Sequence, residues 1–247
     1  MSQSPDRSAS RISAMFDAIA PRYDFLNHLL SAGIDRWWRR RAIRSLSLSG
    51  REIVLDLCTG TADVAIEARL AQPGALRVVG LDFSHAMLTH GIGKLRRRHL
   101  DRDIALVRAD ASTIPLLPGS VDAVTVAFGI RNVDDRAAAC REILRVLRPG
   151  GRLAILEFAM PTRPLFRRLY LSYFRHILPR VGACISGHDS AYAYLPASVD
   201  AFLPHAFMDL LRQSGFADVA ADPMTFGSVF LYTARRPSSL QARASSL

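Results

Sequence analysis

The spacing of hydrophobic residues along the chain changes near Gly50. From residue 13 to residue 49 apolar side chains recur at helical spacing, which predicts two or three helices before any strand. After Gly50 short continuous apolar runs alternate with helical stretches. Continuous apolar runs are typical of strands buried on both faces of a parallel sheet. We therefore predict strands at 53–57, 78–82, 104–110, 122–128 and 152–158.

The C-terminal half adds a helix and a hairpin. A helix is predicted over 135–147, because Asp134 or Asp135 can cap its start and the Pro-Gly-Gly at 149–151 stops it. Segments 219–224 and 228–234 flank a turn-prone Thr-Phe-Gly and predict an antiparallel hairpin that closes the sheet. Together these elements predict an α/β fold with a seven-stranded, mostly parallel sheet and an N-terminal helical cover.

Composition indicates one globular domain between two polar ends. The chain has 247 residues, of which 49% are hydrophobic and 22% charged, so it can bury a sizeable core. Residues 1–12 and 235–247 are polar and rich in Ser and Arg, so we expect flexible tails there. The single domain is then expected over 13–234, with 13–49 as its helical cover.

The sequence favours a cytoplasmic location. No apolar stretch approaches the ~18 residues of a membrane-spanning helix, and the N-terminus lacks the apolar core of a secretory signal. Cys58, Cys140 and Cys184 are widely separated, so they suggest neither a disulfide framework nor a zinc site. A reducing cytosol fits this cysteine usage.

The chain is strongly basic, and arginine supplies almost all of the charge. The formal net charge is +10, and Lys94 is the only lysine. Such an excess favours an anionic partner: a nucleic acid, a phospholipid surface or a small anion. No RNA-binding module is recognisable, so nucleic acid is not expected. Residues 163–180 combine aromatic and leucine side chains at helical spacing with arginines on the other side. This helix can lie on an anionic membrane surface or pack on the core with a solvated basic face.

Acidic residues follow three successive predicted strands. In an open α/β sheet, ligands bind beyond the carboxyl ends of the strands, so Asp56, Asp82 and Asp110 are candidate ligand contacts. Asp82 can accept hydrogen bonds from two ribose hydroxyls, and Asp110 with Ala111 can receive an adenine amino group. Each acid alone can also be a cap or a surface residue.

The turn after the first strand argues against a dinucleotide. It contains one glycine, Gly60, where a pyrophosphate site needs GxGxxG. Asp56 at its entrance would repel a pyrophosphate but suits a ligand that carries an ammonium and a sulfonium. This arrangement resembles that of class I S-adenosylmethionine-dependent methyltransferases, which have a Rossmann-like fold.

Several segments narrow the resemblance. Tyr23–Trp38 contains YDFLN followed by a Ser and a Trp pair, Phe128–Val133 reads FGIRNV, Tyr192–Leu195 reads YAYL, and Arg145–Leu153 reads RVLRPGGRL. In this order they resemble the ubiquinone/menaquinone biosynthesis C-methyltransferase family, and the match runs from about Ile12 to Tyr232. The resemblance implies methylation of demethylmenaquinol, a polyprenylated quinol. The alternatives are the benzoquinol of ubiquinone biosynthesis, or a protein with this fold that binds without catalysis. A homo-oligomer is compatible with the sequence.

The resemblance also implies site residues. Contacts to the S-adenosylmethionine cofactor carry over to Thr61, Asp82, Asp110 and Ala111. Their expected neighbours in the same pocket are Asp56, Gly60 and Phe83. No metal is expected, because the sulfonium is already activated.

The reaction requires a nucleophilic ring carbon, most simply beside a phenolate. Ionising a phenol of pKa about 10 near pH 7 costs roughly 4 kcal/mol, and one aimed donor in a dry site supplies about 2.7–4 kcal/mol. We therefore expect Arg131 to stabilise the phenolate, with Asn132 and Tyr23 orienting the ring. Candidate proton acceptors are Asp24, His28, His188 or a water. A salt bridge and turn is the structural alternative for Arg131-Asn132.

Overall fold

A computed structural model describes residues 17, 20, 24, 28, 31, 33–72, 74, 76–161, 163–172 and 198–238. Seven strands form one sheet within these residues. They are β1 (Ile53–Leu57), β2 (Arg77–Asp82), β3 (Ile104–Arg108), β4 (Val121–Ala127), β5 (Leu147–Phe158), β6 (Ala217–Met224) and β7 (Val229–Arg235). The helices described along their whole length are α1 (Asp35–Ser45), α2 (Asp63–Ala71), α3 (His85–Arg97), α4 (Arg136–Val146), α5 (Pro164–Ser172) and α6 (Pro204–Gln213).

The strand order is β3-β2-β1-β4-β5-β7-β6. The first five strands in this order pair in parallel, and β7 runs antiparallel to both β5 and β6. The predicted seven-stranded, mostly parallel sheet with a closing hairpin is therefore confirmed. The order reverses between β1 and β4, so the crevice beyond their carboxyl ends is the expected ligand site.

Strand β5 is longer than its predicted 152–158. It begins at Leu147, directly after α4, and passes through the Pro-Gly-Gly that ends the helix. The Gly150 N–H donates to the Arg236 carbonyl, and the Arg236 N–H donates to the Gly151 carbonyl. These bonds continue the sheet where the sequence pattern indicated only a stop. Strand β3, in contrast, ends at Arg108 and leaves Asp110 on the following loop.

Helices cover both faces of the sheet. One core contains Val54 of β1 with buried side chains of α1, α2 and α3, and the other contains Leu55 of β1 with buried side chains of α4 and α6. Adjacent residues of β1 thus face opposite cores, and neither is exposed. This explains the continuous apolar runs. Within the described ranges, no helix has the length and apolar character needed to cross a membrane.

Within the predicted helical cover, α1 is the helix described along its whole length. Its Trp38 is buried, donates a hydrogen bond from Nε1 to Thr225 Oγ1 at 2.9 Å, and contacts Phe128 and Phe158 edge-on. The cover is thereby attached to the ends of β4 and β5 and to the turn before β7.

Helix α5 covers only the first half of the predicted amphipathic helix at 163–180, since residues 173–197 lie outside the described part. None of its described residues is buried. Phe166, Tyr170 and Leu171 are partly buried, so the choice between a membrane surface and the core stays a prediction for 163–180.

Candidate functional site

A cavity of about 240 Å³ opens at the carboxyl ends of the central strands. It reaches from the turn after β1 to the loop after β4. Its lining includes six residues that the sequence singled out: Gly60, Asp82, Phe83, Asp110, Ala111 and Asn132. The topology therefore brings together residues 72 positions apart in the chain, because parallel strands end at one edge.

Asp82 is the buried acid of this cavity. Its Oδ2 accepts the N–H of Gly60 at 2.8 Å, and its Oδ1 accepts the N–H of Ser84 at 2.9 Å. Burial raises the pKa of Asp82, and these amide bonds partly offset the rise. A carboxylate has about four acceptor sites, so two amide bonds fix its orientation and leave capacity for further donors. A vicinal diol, such as a ribose presents, fits this acceptor.

The loop after β3 supplies a more open wall. Asp110 is exposed, and its Oδ1 accepts from both the N–H and the hydroxyl of Ser112, at 2.7 and 2.6 Å. Leu81, Met87 and Ala111 add apolar surface beside it. An apolar slot with a few fixed polar groups suits a planar heteroaromatic ring such as adenine.

Asp56 does not line the cavity, contrary to the expectation that it lies in the ligand pocket. It is 1% exposed and accepts hydrogen bonds from Thr59 Oγ1 at 2.5 Å, Thr125 Oγ1 at 2.8 Å and the Ala65 N–H at 3.1 Å. Burial raises its pKa to about 6. Its oxygens join β1 to β4 and to α2, so Asp56 holds the turn that carries Gly60.

Thr61 and Asp24 bind each other. The Thr61 hydroxyl donates to Asp24 Oδ1 at 2.5 Å, and Lys94 Nζ lies 2.7 Å from Asp24 Oδ2 and 3.0 Å from Thr61 Oγ1. Neither residue is among those that line the cavity. The Thr61 hydroxyl is therefore engaged by Asp24, and Asp24 has Lys94 as a charged partner. The expected roles of Thr61 and Asp24 toward cofactor and substrate stay predictions.

Arg131 forms an internal ion pair. Its Nη1 donates to Glu157 Oε1 at 2.7 Å and to the Phe128 carbonyl at 2.6 Å, and its N–H donates to Glu157 Oε2 at 3.1 Å. Both side chains are almost completely buried, and Arg131 does not line the cavity. A buried guanidinium needs a counter-charge, which explains why it turns to Glu157. The salt bridge given above as the structural alternative for Arg131 is therefore present, and of the two neighbours it is Asn132 that lines the cavity.

Three aromatic rings adjoin the cavity, and sequence reasoning missed them as a group. Phe128, which lines the cavity, stacks on Phe158 with ring centroids 4.4 Å apart, and Trp38 meets both rings edge-on. Phe128 has a φ of 59°, in the left-handed region. A Cβ on the following Gly129 would lie 2.3 Å from the Cys58 Cβ, so only glycine fits there. The FGxRN segment, residues 128–132, therefore forms a tightly packed loop.

The profile of the ubiE/COQ5 methyltransferase family matches residues 4–236. The chain belongs to this family. It is therefore an S-adenosylmethionine-dependent methyltransferase, and the resemblance found in the sequence is confirmed.

Individual relatives agree with this family. The methyltransferase is 48% identical to the ubiquinone/menaquinone biosynthesis C-methyltransferase UbiE of Syntrophotalea carbinolica, over 90% of this chain and 92% of that protein. It is 44% identical to the demethylmenaquinone methyltransferase of Thermus thermophilus, over 90% of this chain and 100% of that protein.

Solved structures confirm the class I methyltransferase fold. The [4+2]-cyclase SpnF superposes with a TM-score of 0.68 at 19% identity, covering 92% of this chain and 96% of that one. A SAM dependent methyltransferase from Aquifex aeolicus gives a TM-score of 0.60 at 17% identity, covering 80% and 88%. A cyclase among these neighbours illustrates that this fold alone does not fix the reaction.

The methyltransferase also contains a chain of charged groups that the sequence did not reveal. Lys94 pairs with Asp63, Arg39 contacts both Asp63 at 2.9 Å and Asp35 at 3.0 Å, and His28 Nδ1 lies 2.7 Å from Asp35. Burial alone would raise the pKa of Asp63, but Arg39 and Lys94 lower it. These pairs tie the cover to α2 and α3. In the sequence, the only indication of these pairs is that so basic a chain contains a single lysine, Lys94.

Some predicted site residues of the methyltransferase lie outside the described part. These are Tyr23, His188 and Tyr192–Leu195. Of the proton acceptors considered, Asp24 and His28 are described, and each is already in contact with a charged partner. Among the described residues no group of three or more His, Cys, Asp or Glu can hold a metal ion.

Proposed function

We propose that this enzyme transfers a methyl group to a ring carbon of demethylmenaquinol and so produces menaquinol. Family membership and the demethylmenaquinone methyltransferase of Thermus thermophilus support this substrate. The observation that carries the proposal is that one cavity is lined by both Asp82 and Asn132. Asp82 is an oriented acceptor for a diol, and Asn132 belongs to the FGxRN loop. A binding module has no need of that loop beside a methyl donor.

The residues present fit S-adenosylmethionine. Asp82 would hold the ribose hydroxyls, because its carboxylate is oriented by two backbone amides. Asp110 and Ala111 would hold the adenine, and the turn at Gly60 lets its backbone approach the ligand closely. When bound, the cofactor supplies an electrophilic methyl group without a metal.

The protein must make the quinol ring nucleophilic. Ionising its phenol near pH 7 costs about 4 kcal/mol, which one or two well-aimed donors can offset. Asn132 is the residue of the Arg-Asn pair that lines the cavity, so we assign it the contact with the ring oxygen. Arg131 acts as a positioning residue: by binding Glu157 and the Phe128 carbonyl, it fixes the loop that carries Asn132.

A second substrate has support of its own. The relative from Syntrophotalea carbinolica is named for both ubiquinone and menaquinone biosynthesis. The ring that is methylated in ubiquinone biosynthesis is a benzoquinol, whereas demethylmenaquinol has a fused naphthalene ring. Both rings present a phenol beside the reacting carbon, so the donor arrangement described above suits either.

One experiment separates these substrates. The enzyme is incubated without oxygen with isotopically labelled methyl donor and either reduced demethylmenaquinol or the demethylated benzoquinol. We expect carbon-bound label in the naphthoquinol. Label only in the benzoquinol would transfer the assignment to ubiquinone biosynthesis, and cofactor binding with label in neither quinol would favour a non-catalytic protein.

The substrate also bears on location. A polyprenylated quinol resides in the membrane, so we propose that the enzyme contacts the cytoplasmic face of an anionic membrane peripherally. The net charge of +10 supports attraction to anionic lipid. Self-association stays a prediction to be measured.

A further inference from the structure

Five large apolar side chains are exposed on three neighbouring elements. Ile34 (41% exposed) and Trp37 (52%) lie at the start of α1, Phe226 (63%) lies in the turn before β7, and Leu165 (76%) and Leu169 (60%) lie on α5. Single exposed apolar residues are ordinary, but several on adjoining elements can together form an interaction surface. We call these five residues the apolar rim.

The turn at 225–227 is where the three elements meet. The rings of Phe226 and Phe166 are 4.9 Å apart, which joins the turn to α5. Thr225 accepts the hydrogen bond from Trp38, which joins the turn to α1. Trp37 and Ile34 are three residues apart at the start of α1, so they share one side of that helix.

The apolar rim lies at the same edge of the sheet as the cavity. The turn leads directly into Val229, which pairs with Phe158 at the end of β5. Trp38, next to Trp37, contacts Phe128 of the cavity wall. A bulky lipid-soluble molecule leaving the rim would therefore have a short route to the methyl donor.

The charge around the rim matches an anionic surface. Arg163, Arg167 and Arg168 are exposed, and the stretch 163–172 contains no acidic residue. Among the described residues, none of these three guanidiniums has a carboxylate within 4.0 Å, whereas the buried Arg131 and Arg39 are both paired. Unpaired arginines beside apolar groups are the combination that binds lipid headgroups and acyl chains together.

Phe226 adds a structural argument. Its φ of 57° lies in the left-handed region, where a bulky side chain is strained. The ring packs on Phe166 on one side and remains 63% exposed. Insertion into a bilayer would remove this apolar surface from water.

We infer that the apolar rim, together with Arg163, Arg167 and Arg168, docks the enzyme on an anionic phospholipid bilayer. The inference rests on the proposed function, because a bilayer is the source of a polyprenylated substrate. The rim inserts at the depth of the headgroups, the arginines contact lipid phosphates, and the cavity opens beside the contact.

Flotation with vesicles tests this surface without any reaction. Vesicles of phosphatidylglycerol and phosphatidylcholine are compared with phosphatidylcholine alone, in the absence of quinol. Each arginine near the surface contributes about fivefold in partitioning. We therefore expect Arg167→Gln with Arg168→Gln to weaken binding to the anionic vesicles more than tenfold. Trp37→Gln with Phe226→Asn should do the same, and Asn tolerates the left-handed backbone.

Matched controls come from the opposite edge of the sheet. Leu117 is 77% exposed just before β4, and Arg97 and Arg98 are exposed at the end of α3, ahead of β3. Leu117→Gln, and Arg97→Gln with Arg98→Gln, should bind vesicles within about twofold of the wild type. Circular dichroism and cofactor affinity verify that every variant is folded.

Three results would overturn the inference. The first is equal flotation of rim variants and wild type, and the second is equal binding to neutral and anionic vesicles. The third is a wild-type dimer in light scattering that the rim variants dissociate, which would make the rim an interface between copies. Methylation of a short-chain, water-soluble quinol is measured in parallel. If the soluble quinol is methylated but the rim variants bind vesicles like the wild type, the proposed function stands and the proposed surface is wrong. If the rim variants lose vesicle binding but the wild type methylates no quinol, the surface stands and the proposed function is wrong.

Discussion

Arg131 and Glu157 form a buried ion pair, with Nη1 and Oε1 2.7 Å apart. Glu157 also accepts the backbone N–H groups of Arg131 and Phe158, and the guanidinium lies 5.5 Å above the Phe158 ring. The pair therefore joins the end of β5 to the loop after β4. The position of Asn132 at the cavity depends on this junction.

Removing the charge of Glu157 should destabilise the protein strongly. Glu157→Gln leaves the Arg131 guanidinium buried without a counter-charge, and breaking such a pair costs about 3–5 kcal/mol. Equilibrium unfolding in urea measures the loss. The double variant Arg131→Met with Glu157→Gln should be more stable than Glu157→Gln alone. A loss below about 1 kcal/mol in the single variant would show that the pair is not structural.

Asn132→Ala should separate catalysis from cofactor binding. Loss of one aimed donor lowers kcat by about 10²–10³-fold. The affinity for S-adenosylmethionine, measured by calorimetry, should change less than about threefold, because the predicted cofactor contacts lie elsewhere in the cavity. Wild-type turnover in this variant would refute the role assigned to Asn132.

Asp82→Ala should remove cofactor binding while the protein stays folded. Hydrogen bonds to a charged group contribute about 1.5–3 kcal/mol each, so loss of two predicted ribose contacts weakens affinity at least about a hundredfold. Asp110→Ala serves as the control, because that acid is exposed and a smaller loss is expected. Equal losses in both variants would contradict the special place of Asp82.

These predictions show what the sequence can convey about this fold. Most strand boundaries are predictable from the sequence within one or two residues, because strands buried on both faces have continuous runs of apolar residues. The positions of the acids at strand ends are equally predictable from the sequence. The roles of individual side chains are not, because they depend on distant partners. Asp56 binds Thr125, 69 residues away, and Arg131 binds Glu157, 26 residues away. No local pattern encodes those contacts, so the sequence alone predicts ligand contacts for both Asp56 and Arg131.

Asp56 should give the protein a measurable pH dependence. Its pKa in the folded state is about 6, raised by burial from 3.8. A raised pKa means that the native state binds the extra proton, so this stabilisation is present below pH 4 and is lost as the pH rises through 6. The difference corresponds to about 3 kcal/mol. Asp56→Asn lacks this titration, so the stability of wild type relative to the variant should fall between pH 4 and pH 7. A constant difference across that range would contradict the raised pKa.

Lys94 should be essential to the attachment of the N-terminal cover. Lys94→Gln leaves Asp24 and Asp63 close together without their shared cation. Because both pairs are only partly buried, we expect a loss of about 1–3 kcal/mol in the free energy of unfolding, less than for a fully buried pair. Lys94→Arg keeps the charge and is the matched control. Equal stability of the Gln and Arg variants would refute the role of the charge.

Methylation of a quinol ring carbon by this enzyme can be measured on the product itself. Its most direct test uses S-adenosylmethionine with a deuterated methyl group, anaerobic demethylmenaquinol and the purified enzyme, followed by NMR of the extracted quinol. We expect deuterium in a methyl group bonded to the ring carbon, and none with the Asp82→Ala enzyme. Label on a ring oxygen, or an unlabelled quinol despite bound cofactor, would contradict it.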